Sequence, residues 1–156
     1  VIDVQSRAMN ELLSLVAVLL GSALAVGLVI GLNAVLGGWT PSRIDSVESA
    51  AEALERDVLG FRAGDEAVAA TDGRAALVME ADGARLGLAL SRGDIIVSRA
   101  LRPGEVRRAE AQGARVVIIM DDFTLPRVFV TLADEAEARL WAERVTGFAK
   151  GPQQET

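Results

Sequence analysis

Between Glu11 and Arg43 the chain carries no ionisable side chain, and within residues 12–36 only Ser14, Ser22 and Asn33 interrupt an otherwise apolar run. Twenty-five helical residues rise about 37 Å, enough to cross a hydrocarbon core of roughly 30 Å with some tilt. The run is apolar on every face of a helix, so it reads as a membrane span rather than one side of a soluble bundle. Ala23-Leu24-Ala25 has the small-residue spacing of a signal-peptidase site. The apolar run continues to Leu36, however, so the helix is expected to remain as an uncleaved anchor.

Past the run the hydrophobic period changes twice. Gly37-Gly38 break the span, and Thr40-Pro41 has the form of an N-cap followed by proline at the first helical position. The second helix should then reach about Leu59, with Ile44, Val47, Ala51, Leu54 and Val58 on one face and Gly60 closing it. Beyond Gly60 the period is two. Asp72-Gly73 and Asp82-Gly83, each flanked by apolar residues, are hairpin signals, because a type I′ turn needs positive φ at both central residues.

Strands are therefore expected over residues 66–71, 74–81, 84–90 and 94–101, the third with Leu86, Leu88 and Leu90 inward and Gly87 and Ala89 outward. Residues 101–113 read as an arginine-rich polar loop, residues 115–120 as a central strand apolar on both faces, and residues 127–132 as a further strand. A closing helix is expected with capping-box spacing from Thr131 to Asp134 and a stripe of Ala136, Leu140, Trp141, Val145 and Phe148. The fold class is a single transmembrane helix plus a small α+β domain. That domain is an antiparallel meander or partly closed barrel of pleckstrin-homology-like outline, with a C-terminal capping helix. The divisions are a tail at 1–11, the span at 12–36, a linker and amphipathic helix at 37–60, the mainly β domain at 61–150 and a loose tail at 151–156.

Within the span, Ala23, Gly27 and Gly31 recur every four residues, and Ala17 and Gly21 form a second, overlapping row. In lipid, apolar side chains gain nothing by leaving the solvent, and small-xxx-small grooves let another helix approach closely enough for dispersion contacts to hold it. The row is also what a Gly- and Ala-rich composition produces by chance, and both readings stand. Trp39 sits where an interfacial aromatic belongs. Arg7 before the run and Arg43 after it give a slight lean toward a cytoplasmic N-terminus, hence a periplasmic domain at a bacterial inner membrane.

Charge and composition remove several functions. The formal charge is −6. That balance disfavours nucleic acid as a partner, since a binder needs a basic footprint to displace counterions from phosphates. Cysteine and histidine are both absent, which excludes disulfides, thiolate metal sites and His-based acid–base chemistry. No Gly-rich phosphate loop or nucleophile elbow is present, no metal or cofactor is implied, and a non-enzymatic role is expected.

Two clusters remain. Asp121-Asp122 could hold a hard cation, but neighbours on a strand face opposite ways and Asp is ordinary in turns, so the pair reads as a turn. The stretch 92–115 holds Arg92, Arg99, Arg102, Arg107, Arg108 and Arg115 against only Asp94, Glu105 and Glu110. Of these, Arg99, Arg102, Arg107 and Arg108 are the candidate contacts to a lipid headgroup or an acidic partner, with a solvated loop as the alternative. Arg92-Gly93-Asp94 reads as a turn.

One anchor plus a small β domain resembles in layout the accessory and assembly proteins of bacterial energy-converting membrane complexes, photosynthetic and respiratory ones included. That likeness implies a non-catalytic subunit that packs its helix against a partner's span and covers the partner with its β domain. The alternative is a self-associating anchored module that binds lipid headgroups or a peptide.

Overall fold

The computed structural model describes residues 2–36 and 41–151. Gly37, Gly38, Trp39 and Thr40 lie outside the described residues, and so does the tail from Pro152 onward. The expected interfacial role of Trp39 and the capping role of Thr40 therefore fall on positions the structure does not describe. The chain forms two compact units, Val1–Thr40 and Pro41–Thr156.

The first unit is one helix, α1, over Ile2–Val35. With no glycine or proline before Gly21, nothing stops the helix from extending back through residues 2–11. Its stretch Met9–Val35, 27 residues, is long and apolar enough to cross a membrane, and none of its most apolar window is buried.

The second unit begins with a strap. Pro41 does not open a helix, because the backbone donors that would enter it are used elsewhere: Ser42 N–H donates to the Gly93 carbonyl at 2.8 Å and Ile44 N–H to the Gly73 carbonyl at 2.9 Å. Helix α2 instead spans Val47–Asp57, capped by Ser46 in a reciprocal box with Ser49. The proline start signal lost to hydrogen bonds with two distant turns.

Strands β1 (Ala63–Ala69), β2 (Ala75–Glu80), β3 (Leu86–Arg92) and β4 (Ile95–Leu101) form one antiparallel sheet in sequential order. Asp72 and Asp82 each accept their i+2 backbone N–H, and Gly73 and Gly83 take φ of 68° and 71°. Both hairpins form where their Asp-Gly pairs stand, but not as type I′ turns: only the glycines take positive φ, and each aspartate instead holds the turn through its side chain. A single-turn 3₁₀ segment at Pro103–Glu105 then ends the sheet, and a second antiparallel sheet follows: β5 (Val106–Gln112), β6 (Arg115–Met120) and β7 (Arg127–Thr131). The two sheets are separate and neither closes, so the expected barrel outline does not form.

The structure departs from three further expectations. The polar loop at 101–113 contains strand β5, an edge strand whose alternation is Ala109 and Ala111 toward the core and Arg108, Glu110 and Gln112 away from it. Alanine is a weak apolar marker, and the arginines masked the period. Strand β3 is buried on both faces. Leu86 and Leu88 enter the larger core with β6, β7 and the last helix, while Ala89 packs with Ala50, Leu54, Phe61, Ala76 and Val78 beneath α2. Gly87 makes that approach feasible, since a Cβ there would lie 2.7 Å from Leu54 Cδ1 and 2.7 Å from Phe61 Cζ.

The last helix, α3 (Glu135–Lys150), is the third. Asp134 rather than Thr131 caps it, accepting the Glu137 N–H at 2.8 Å, while the Glu137 carboxylate accepts the Ala133 N–H at 3.1 Å. The buried stripe is Ala138, Trp141, Ala142, Val145 and Phe148. Leu140 is 53% exposed.

Candidate functional site

The arginines and carboxylates that stand out separately in the sequence find each other in space. β4 carries Arg99 to the turn between β6 and β7, where its guanidinium donates to Asp122 and reaches Glu105 at 3.5 Å. Arg107 pairs with Asp121 at 2.8 Å, and Arg108 with Glu110 at 3.0 Å. Arg102 contributes its backbone N–H to Glu105 at 2.7 Å, and its side chain is exposed. The four candidate contact arginines thus lie along β4, the 3₁₀ turn and the start of β5, three of them neutralised by a carboxylate.

Asp122 is a structural acceptor. One carboxylate oxygen takes the Thr124 N–H at 2.7 Å, the Thr124 hydroxyl at 2.7 Å and the Leu125 N–H at 3.2 Å, and the other takes Arg99. Those bonds, Thr124's hydroxyl foremost and Arg99 next, hold its carboxyl well below the usual carboxylate range. The partnership with Asp122 in turn raises Arg99 above its ordinary value. Asp121 points away to Arg107 and is mostly exposed. The turn reading of this pair is the one the geometry supports, and among the described residues no three acidic side chains gather as a metal ligand set.

Glu80, a buried carboxylate at the end of β2, is likewise committed. It pairs with Arg85 across the hairpin, while the same guanidinium donates to the Gly60 carbonyl at 2.7 Å and lies 5.5 Å from the Phe61 ring centroid. That clamp holds the exit from α2 onto the β2–β3 turn. Arg92-Gly93-Asp94 forms the β3–β4 turn, with Gly93 at a φ of 67°.

A different group of arginines stays unneutralised. Arg74, Arg92, Arg115 and Arg127 line one open cleft of about 350 Å³ between the two sheets, against a single carboxylate, Asp72. Thr71 N–H donates to the Thr131 carbonyl at 2.8 Å and Ser91 N–H to the Arg74 carbonyl at 2.8 Å, so the ends of β2, β3 and β7 are drawn together there. On β6 and β7, Arg115 lies opposite Thr131 and Arg127 opposite Ile119, which puts both arginines on the outer face with Phe129. Arg115 stacks over that ring at 5.8 Å.

The arginine-rich stretch of sequence contains two of these four residues, and the other two, Arg74 and Arg127, carry no mark in it. Linear spacing hides the set. The one shared feature is that each stands beside a turn: Arg74 after Asp72-Gly73, Arg92 before Gly93, Arg115 after Gly113 and Arg127 after Pro126. Arg115 stands opposite the end of β7 and Arg127 at its start, so the set lines the cleft along the length of that strand.

On α1, the small residues Ala17, Gly21, Ala23, Gly27 and Gly31 are all exposed, and apart from the helix's own neighbouring backbone no atom of the described residues lies within 4 Å of where a Cβ on Gly21, Gly27 or Gly31 would stand. No protein-family model, curated protein or solved structure matches this chain.

Proposed function

We propose that the protein is a membrane-anchored, non-catalytic accessory or assembly subunit. In this reading α1 crosses the bilayer and packs against a partner's span, and the β domain covers that partner on the non-cytoplasmic side. The observation that carries the reading is the exposure of Met9–Val35 on every side: a 27-residue, predominantly apolar stretch with no protein surface over it. At ~25 cal/mol per Å² of apolar surface, leaving such a helix in water is prohibitive, and lipid or another helix must cover it. The small residues along it supply a face on which a second helix can approach closely. The non-catalytic part draws on Asp122, Asp121 and Glu80, whose carboxylates are engaged by Thr124, Arg99, Arg107 and Arg85.

Purification in mild detergent tests it. Another integral membrane protein should copurify in fixed ratio, and recovery of this chain alone would refute the subunit role. A second reading rests on the same small-residue face: the partner span is a further copy of α1. Crosslinking that yields homodimers and no hetero-complex selects this self-associating form.

A further inference from the structure

Among the described residues, the guanidinium groups that make neither a hydrogen bond nor an ion pair are those of Arg62, Arg74, Arg92, Arg102, Arg115 and Arg127. Four of these six line one cleft between the sheets. Elsewhere the domain supplies a carboxylate for most of its arginines, as for Arg85, Arg99, Arg107, Arg139 and Arg144. Asp72, the cleft's one acid, is turned into its own hairpin, where it accepts the Arg74 backbone N–H at 3.0 Å. The result is a concentrated positive site on a chain whose net charge is −6. Like charges gathered without counterions repel, and a cleft that keeps them together is suited to a ligand that supplies the missing negative charge.

We propose that this cleft binds a phosphate-bearing anion carrying two or more negative charges. Guanidinium groups present planar pairs of N–H donors that match phosphate oxygens two at a time, and four of them around about 350 Å³ exceed what one carboxylate can neutralise. Phe129, held under Arg115 and half exposed, gives one wall an apolar face that fixes a guanidinium without consuming its donors. Two sources share this chemistry: a soluble phosphate compound and the headgroup of an anionic phospholipid. Within the domain, the strap at residues 41–46 meets this same rim, where Arg43 donates to the Asp72 carbonyl at 3.2 Å.

The inference goes beyond the subunit role and does not depend on it. The test is calorimetric titration of sodium pyrophosphate into the full chain in a neutral detergent at low salt. Saturable binding is expected, weakening as ionic strength rises. Arg74→Gln combined with Arg127→Gln should weaken it by about tenfold or more. Arg62→Gln with Arg102→Gln, the same change of charge at unpaired arginines away from the cleft, should leave it within about twofold.

Both pairs are on exposed side chains, and thermal melting confirms that each variant is folded. Repeating the titration in nanodiscs distinguishes the sources. Weaker pyrophosphate binding in discs doped with phosphatidic acid than in pure phosphatidylcholine discs assigns the cleft to a headgroup, and equal binding assigns it to a soluble phosphate. Absence of saturable binding, equal weakening by the two double variants, or tighter binding of a glutamate-rich peptide than of pyrophosphate would overturn the proposal.

Discussion

Helix α2 packs on the outer face of the four-stranded sheet through a contact so close that it admits no side chain on Gly87, and this geometry makes two single substitutions compensate each other. Leu54, on the sheet-facing side of α2, is fully buried. Leu54→Ala removes that packing and should cost about 2–5 kcal/mol. For a domain of this size roughly 4 °C of melting temperature is lost per kcal/mol, so the drop should be near 12 °C for a mid-range value of about 3 kcal/mol. Gly87→Ala acts in the opposite sense: its methyl would stand 2.7 Å from both Leu54 Cδ1 and Phe61 Cζ and 3.1 Å from the Val78 carbonyl oxygen. Overpacking of this kind costs about 1–3 kcal/mol.

The two changes meet at one atom. In the double variant the new methyl occupies space that Leu54 has vacated, so the combined loss should fall short of the sum by about 1 kcal/mol or more. Thermal unfolding followed by the fluorescence of Trp141, which is 3% exposed, measures all three variants in detergent. Additivity within about 0.3 kcal/mol would mean that α2 does not cover Gly87, and the two-faced burial of β3 would be refuted.

Other outcomes follow from the ion pairs and from α1. Asp122's carboxyl lies below its unfolded value of about 3.9, so its contribution is complete above that pH and is lost as pH falls through the folded value. Wild type should therefore melt above Asp122→Ala at pH 7, and the gap should shrink below pH ~4; a gap that persists unchanged in acid contradicts the assignment. Arg107→Ala, which breaks an exposed pair, should shift stability by no more than about 0.5 kcal/mol, whereas Arg99→Ala should lower the melting temperature more, because Arg99 joins β4 to the β6–β7 turn. Gly27→Leu with Gly31→Leu should abolish copurification or crosslinking of α1 while leaving the protein in the membrane fraction, and retained association would remove these residues from the packing face.

What could be read from sequence followed the strength of each local signal. Residues 12–36 were unmistakable as a long apolar helix because twenty-five uncharged positions admit few alternatives, and the Asp-Gly turns located the hairpins because glycine alone tolerates their φ without strain. Period-two leucines placed the inner face of β3 correctly, yet Gly87 and Ala89 on its other face carried no sign that a helix would cover them. Small residues mark close approach and open surface alike. The start of α2 moved from Pro41 to Val47 because the strap's hydrogen bonds to Gly73 and Gly93 are tertiary. The arginine-rich stretch was conspicuous as composition, yet three of its four candidate residues there are paired internally. The unneutralised set at the cleft comes from four separate turns and exists only once β2, β3, β6 and β7 are assembled.

The claim on which the rest stands is that α1 resides in lipid, and alkaline carbonate extraction of membranes from cells expressing the full chain tests it most directly. The account predicts that the protein stays in the pellet after the wash and enters solution only with detergent. Release into the carbonate supernatant as a soluble monomer would contradict it.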